Sequence, residues 1–169
     1  MPFKKVKSLI PESFSITSVD LKLFSDAFSI GLGVIYNQNW IQYRWVCKET
    51  SLSIDFQELF VIVAAIYTWG GEWEGKRIVV VTDNLPITQI WHSGTTKSKS
   101  IMYLIRKLYL FAAQIGFSVS FKHISGTSNC IVDSLSRFQV ERFRHVFRNV
   151  SYRCCPKPAT YDRRFTRAF

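Results

Sequence analysis

Arg77-Ile78-Val79-Val80-Val81-Thr82-Asp83 is the stretch from which the rest of the chain can be placed. Ile78 to Val81 form an unbroken β-branched run without apolar–polar alternation, the mark of a strand buried on both faces. It ends in a carboxylate. A strand of this kind needs helices on both sides, and its flanks supply them. Upstream, Ile54 to Trp69 reads as a helix, with Ser53 as N-cap and Asp55 at the positive end of the dipole. Leu59, Ile62, Val63 and Ile66 form its buried stripe, and Gly70-Gly71 ends it. Downstream come a short helix around Pro86–Trp91 and a polar, basic connector from Ser93 to Lys99. A second long helix follows, whose apolar residues Ile101, Leu104, Ile105, Leu108, Ala112 and Ile115 recur at helical spacing.

Further out, the front of the chain carries three strand-like runs. Asp20 to Asp26 again ends in a carboxylate, and Ile30–Tyr36 and Trp40–Val46 follow at hairpin distance across Asn37-Gln38-Asn39. At the back, Phe117, Val119 and Phe121 alternate with polar residues in a half-buried strand. A loop from His123 to Asn129 leads to a last helix near Cys130–Phe138. The order β-β-β-α-β-α-α-β-α predicts an α/β fold: a mixed five-stranded sheet, three antiparallel strands then parallel ones, flanked by helices. Residues 1–17 read as a basic N-terminal arm, 18–139 as the domain and 140–169 as a basic tail or linker.

The composition, 47% hydrophobic and 15% aromatic over 169 residues, is enough to close a core. The net charge of +10 favours a polyanionic partner. The 30 residues from Val140 hold eight basic and two acidic residues, so the tail carries most of the excess, as a solvated segment or as a nucleic-acid contact. Lys4, Lys5 and Lys7 are followed by no apolar region of a secretory signal. The longest uncharged apolar stretch, Leu59–Gly71, falls short of the roughly 20 residues that span a bilayer. Cys47 and Cys130 sit in segments that read as core, and the adjacent Cys154 and Cys155 are poorly spaced for one zinc, so neither a disulfide framework nor a zinc site is expected. The chain reads as intracellular, cytoplasmic or nuclear, with no membrane partner.

Four carboxylates occupy marked positions: Asp26 and Asp83 at strand ends, Glu58 in the first long helix and Asp133 in the last. Each alone reads as a turn residue or a solvated helix residue. Together, the carboxyl ends of neighbouring strands gather at one edge of the sheet, and clustered carboxylates repel one another unless cations lie between them. Oxygen donors without thiolates select Mg²⁺ or Mn²⁺. Two such ions about 4 Å apart can drive an in-line phosphoryl displacement, which makes the chain a candidate metal-dependent phosphodiesterase.

The segments that hold these residues resemble, in order, the ribonuclease H family. They are Phe24-Ser25-Asp26-Ala27-Phe28 with Gly31-Leu32-Gly33, Gln57-Glu58-Leu59, Val81-Thr82-Asp83-Asn84, and His123-Ile124-Ser125-Gly126-Thr127-Ser128-Asn129 running into Val132-Asp133-Ser134-Leu135-Ser136-Arg137. The last block is similar to the form found in retroelement polyproteins. Thr82-Asp83-Asn84, Trp69, Phe138-Gln139 and Phe143-Arg144 are similar to the DIRS-type retrotransposons. The resemblance covers roughly residues 20–145. It implies a metal-binding tetrad of Asp26, Glu58, Asp83 and Asp133 holding two Mg²⁺ or Mn²⁺ ions, with His123 in a mobile loop aiding proton transfer or product release. The reaction implied is endonucleolytic hydrolysis of the RNA strand of an RNA–DNA hybrid. The implied context is a larger polyprotein with a reverse transcriptase as partner. Asn84 and Asn129 are candidates for reading the RNA, with loop closure as the other role open to each. Phe28, Ser125 and Val132 depart from the family's commoner Ser, Pro and Ala, and Val132 is expected to crowd the last helix against the sheet.

Other readings are weaker. Gly31-Leu32-Gly33 lacks the third glycine and following helix of a nucleotide loop, and His123 has no nucleophile elbow to serve. Aromatic residues at this density suit a core better than a base-stacking platform. Lys97, Lys99, Arg106 and Lys107 cluster near the second long helix, as backbone contacts or as a solvated face. The rival class is a catalytically silent ribonuclease H-like module that binds nucleic acid or scaffolds a polymerase. The DNA-cutting integrase branch of the fold generally uses three carboxylates, and the His…Asn…Asp block does not suit it.

Overall fold

The computed structural model describes residues 21–37, 39–46 and 50–146. The arm of residues 1–17, Cys47, Cys154, Cys155 and the tail beyond residue 146 lie outside the described residues. The elements are β1 (Leu21–Phe28), β2 (Gly31–Tyr36), β3 (Asn39–Arg44), α1 (Ile54–Trp69), β4 (Arg77–Thr82), α2 (Leu85–Ser93), α3 (Lys99–Ile115), β5 (Ser118–His123), α4 (Cys130–Ser136) and α5 (Val140–Val146). One sheet runs β3-β2-β1-β4-β5. The first three strands are antiparallel, and β1–β4 and β4–β5 are parallel. The chain is thus a mixed five-stranded sheet with helices, as the element order predicts.

Side-chain alternation divides β1 to β3 between two cores. Leu23, Ala27, Leu32, Val34, Tyr36 and Ile41 join the larger core with Leu59, Ile62 and Ile66 of α1 and Leu104 and Leu108 of α3. Phe24, Ile35 and Trp40, one residue out of phase, join the smaller core with Val132 and Leu135 of α4 and Phe143 of α5. β4 is the central strand that its sequence demands: Ile78 and Val80 are fully buried and Val81 nearly so.

Local chemistry sets the helix ends. The Ser53 hydroxyl accepts from the Phe56 N–H at 3.3 Å, and Ser98 accepts from the Ile101 N–H at 3.4 Å. Beyond Trp69 the helix tightens into one 3-10 turn, Gly70–Glu72, before the chain leaves. Phe138 follows α4 in the left-handed region (φ 60°), and the chain turns back into α5. Phe143 of α5 is buried and meets Trp40 edge-on at 5.5 Å. Packing against the smaller core thus extends to Phe143, an apolar anchor in the otherwise basic segment after residue 139. Cys130 is half-buried at the start of α4 rather than in the core. Val132 is buried in the smaller core, and α4 makes its close approach to the sheet over Gly33. A Cβ on Gly33 would sit 2.6 Å from Leu135 Cβ and 2.8 Å from the Val132 carbonyl oxygen. Gly33 is the seat for that helix, whereas Gly31 faces Phe138 and the Tyr43 carbonyl. Among the described residues no helix is long and apolar enough to cross a membrane.

Candidate metal centre

β1 and β4 run side by side in the same direction, with Phe24 level with Val81. Two residues further on, Asp26 and Asp83 stand on adjacent chains at the carboxyl end of the parallel pair. Glu58, in the second turn of α1, is anchored to the same place: its Oε1 accepts from the Ala27 N–H at 3.0 Å. Asp26, Glu58 and Asp83 each bring a carboxylate oxygen within 4.8 Å of the other two. Asp26 and Glu58 are only 6% and 4% exposed, so little water screens the trio.

The charges respond accordingly. Burial, reinforced by Asp83 and Asp133, pushes Asp26 up to about 6, against the lowering effects of the Ser136 hydroxyl and the Arg137 guanidinium. Burial first, then the charge of Asp26, holds Glu58 well above the usual carboxylate range, even though the Ala27 N–H favours its charged form. Glu58 Oε2 is buried with no hydrogen-bond partner. A buried orphan oxygen in a cluster of hard donors fits a divalent cation, and the residues present can hold one.

A second set of residues fixes the carboxylates. The Ser136 hydroxyl donates a short hydrogen bond to Asp26 Oδ2. Asn129, 2% exposed, donates through Nδ2 to Asp83 Oδ1 and to the Ser25 carbonyl, each at 3.2 Å. Gly126, in the 3-10 turn Gly126–Asn129, lies so close that a Cβ there would be 3.1 Å from Asp83 Oδ2. Asn129 is thus a buried brace for Asp83. Asn84 caps α2, accepting from the Ile87 N–H at 2.9 Å, and ties α2 to α1 by donating to Asp55 Oδ1 at 3.1 Å. The loop-closing role fits both asparagines as they stand.

The other expected residues lie around this trio. Asp133 is near enough to raise Asp26, but its Oδ1 accepts from Arg137 Nε at 2.6 Å and it is not one of the three converging carboxylates. His123 is the last residue of β5, opposite Thr82, rather than the first residue of a loop. Strand pairing carries two residues further than the Phe117–Phe121 alternation indicates, because Lys122 and His123 are exposed and leave no apolar signal. The exposed His123 ring places Nε2 3.2 Å from the Asp83 carbonyl oxygen. Lys97, Lys99 and Arg106 are exposed, and Lys107 Nζ lies 5.5 Å from the Tyr103 ring centroid. None of these four is among the charges acting on Asp26 or Glu58. Ser136 and Arg137 stand in the sequence only as letters of the final motif; helix spacing accounts for their contacts with Asp133, but not for that of Ser136 with Asp26.

A pH dependence follows. Between its ordinary value of 3.8 and about 6, the folded chain holds a proton on Asp26 that the unfolded chain has released. Stability of the metal-free protein therefore falls as pH rises through this window, by about 3 kcal/mol from this group. Glu58 acts in the same direction. In EDTA the melting temperature should drop from pH 5 to pH 8, and Mn²⁺ should raise it more at pH 8, where protons no longer compete. A melting temperature in EDTA that is flat or rising across this range would contradict the electrostatics of the trio.

No protein-family model matches the chain, and no curated protein matches it. Solved structures do. The N-terminal ribonuclease H domain from Mycobacterium tuberculosis, solved as a fusion with maltose-binding protein, is 12% identical over 71% of this chain and 98% of that one, with a TM-score of 0.53. Ribonuclease H1 from the halophilic archaeon Halobacterium salinarum NRC-1 is 9% identical over 73% and 98%, with a TM-score of 0.54. LC11 ribonuclease H1, isolated from compost by a metagenomic approach, was solved in complex with an RNA/DNA hybrid. In that complex it is 13% identical over 69% and 93%, with a TM-score of 0.54. At these identities the likeness is one of fold, and it agrees with the strand order built up above. The chain has the ribonuclease H-like fold.

Proposed function

We propose that this protein is a metal-dependent endonuclease that hydrolyses the RNA strand of RNA–DNA hybrids, encoded by a retroelement and working beside a reverse transcriptase. The observation that carries the reading is the meeting of Asp26, Glu58 and Asp83 within 4.8 Å, with a buried oxygen of Glu58 left unpartnered. The LC11 enzyme of the same fold was solved with such a hybrid. Asp26, Glu58 and Asp83 would hold two Mg²⁺ or Mn²⁺ ions, with Asp133 as the fourth carboxylate near Asp26. Bound there, such ions would supply an activated water and charge stabilisation for the leaving oxygen. Ser136 and Asn129 keep the carboxylates of Asp26 and Asp83 in one orientation, so that no reorganisation is needed when charge develops. His123, exposed at the rim and held by an Nε2–H bond to the Asp83 carbonyl, is the residue for proton transfer or product release. The Arg137–Asp133 ion pair favours a second reading, a silent module that binds the hybrid without cutting it.

The test is a panel of end-labelled hybrid, double-stranded RNA and double-stranded DNA in Mg²⁺ and in Mn²⁺. Internal cuts in the RNA strand of the hybrid alone, leaving 3′-hydroxyl and 5′-phosphate ends, are expected. Equal cutting of double-stranded RNA would overturn the hybrid selectivity, and binding without cleavage would establish the silent module.

A further inference from the structure

Three observations meet at Arg137, the residue that ends α4. Its Nε donates to Asp133 Oδ1 at 2.6 Å, with the two side chains 37% and 23% exposed. Its guanidinium carbon lies 3.8 Å from the centroid of the Phe28 ring, two residues beyond Asp26 on β1. It is also the cation that acts on Asp26. The Nε bond and the contact over the Phe28 ring hold the guanidinium and leave both terminal nitrogens without a hydrogen-bond partner among the described residues. Phe28, where serine is commoner in the family the sequence resembles, acquires a use here: its ring is the platform for the guanidinium.

A cluster of carboxylates repels a polyanion, so a phosphodiester chain approaching Asp26 and Asp83 needs fixed positive charge at the rim. A planar guanidinium held from one edge and one face presents its remaining edge as a two-pronged donor, the geometry that grips phosphate oxygens. We propose that Arg137, clamped between Asp133 and Phe28, is a substrate-binding residue that grips a backbone phosphate of the nucleic acid beside the site of cleavage. Asp133 then serves the substrate through Arg137 as well as lending charge to the metal centre. This inference rests on the hybrid-nuclease reading and adds a phosphate contact to it.

The experiment compares the full-length wild type with Arg137→Gln and Arg137→Lys. Binding of a fluorescent RNA–DNA hybrid is titrated against KCl with Ca²⁺ in place of Mg²⁺, the hybrid being checked for intactness. Binding of Mn²⁺ alone is measured by calorimetry. Loss of one phosphate contact lowers the log–log salt slope by about 0.9, so Arg137→Gln should show that decrease with about a tenfold weaker affinity. Arg137→Lys should keep the slope and lose part of the affinity, because an ammonium cannot make the two-pronged contact. Mn²⁺ affinity should stay within about twofold in both variants, whereas a residue that merely holds the carboxylates would change it. An unchanged salt slope in Arg137→Gln, or a loss of Mn²⁺ affinity that accounts for the weaker binding, would overturn the proposal. A wild type that binds no hybrid would overturn the nuclease reading and this inference with it. A reduced slope in a protein that binds hybrid but does not cut it in Mg²⁺ would support Arg137 and sink the nuclease reading alone.

Discussion

Glu58→Gln is expected to raise the melting temperature of the metal-free protein while removing its activity. Gln keeps the acceptor that pairs with the Ala27 N–H at 3.0 Å and keeps the side-chain shape. It removes a buried acid that crowds Asp26 and Asp83, so the cost of holding that acid in a dry cluster disappears. A rise of several degrees in EDTA at pH 7.5 should follow. The same change strips the centre of one hard donor. Mn²⁺ should then stabilise the variant much less than the wild type, and the rate of RNA-strand hydrolysis should fall about 10³-fold, the loss of several kcal/mol of charge stabilisation. Scanning calorimetry with and without Mn²⁺ and a hybrid cleavage assay read all three effects. A variant that melts lower than the wild type in EDTA, or that cuts at a comparable rate, would remove Glu58 from the centre.

Gly33→Ala is expected to disturb both the fold and the site. The new methyl would lie 2.6 Å from Leu135 Cβ, 2.8 Å from the Val132 carbonyl oxygen and 2.9 Å from the Ser136 nitrogen. Two of these are backbone atoms of α4, which can yield only if the helix lifts from the sheet. Overpacking of this kind costs about 1–3 kcal/mol, and a contact with rigid backbone belongs at the upper end. Lifting α4 also moves Ser136 and Asp133 away from Asp26, opposite Gly33 on β1. Cleavage should therefore fall about 10²-fold in protein that is still folded, as a misplacement of about 1 Å does. Urea denaturation and cleavage assays measured below the midpoint test both parts. An unfolding midpoint equal to that of the wild type would show that α4 does not sit on Gly33 as described.

The sheet was legible because its signals are periodic. The run Ile78–Val81 could only be a central strand, and the register that follows from parallel pairing sets Asp26 beside Asp83. The 16 residues of α1 carry a cap, a stripe and a glycine stop, and they form as read. Phe143 makes no period in its basic segment, so only the resemblance marks it and its packing is not evident. The expected loop starts after His123 rather than at it, because the exposed end of an edge strand carries no apolar alternation.

At the site, the identities of Asp26, Glu58 and Asp83 could be read from strand ends and one helix position, and the structure brings these three together. The partners that hold them could not. Asn129 lies 46 residues from Asp83 and Ser136 lies 110 from Asp26, so those contacts exist only after α4 has docked over Gly33. Asp133 and Arg137 are four apart on one helix, and an ion pair at that spacing looks like any other on a solvated face. Phe28 turns it into something more specific, by fixing the guanidinium at the rim of the carboxylate cluster.

Hydrolysis of a labelled RNA–DNA hybrid by purified wild type and by Asp83→Asn, in Mg²⁺ and in Mn²⁺, tests the central claim most directly. The account predicts metal-dependent loss of the RNA strand in the wild type, abolished by EDTA and absent from a variant that still binds the hybrid. Binding without cleavage in either metal, or equal cleavage by Asp83→Asn, would contradict it.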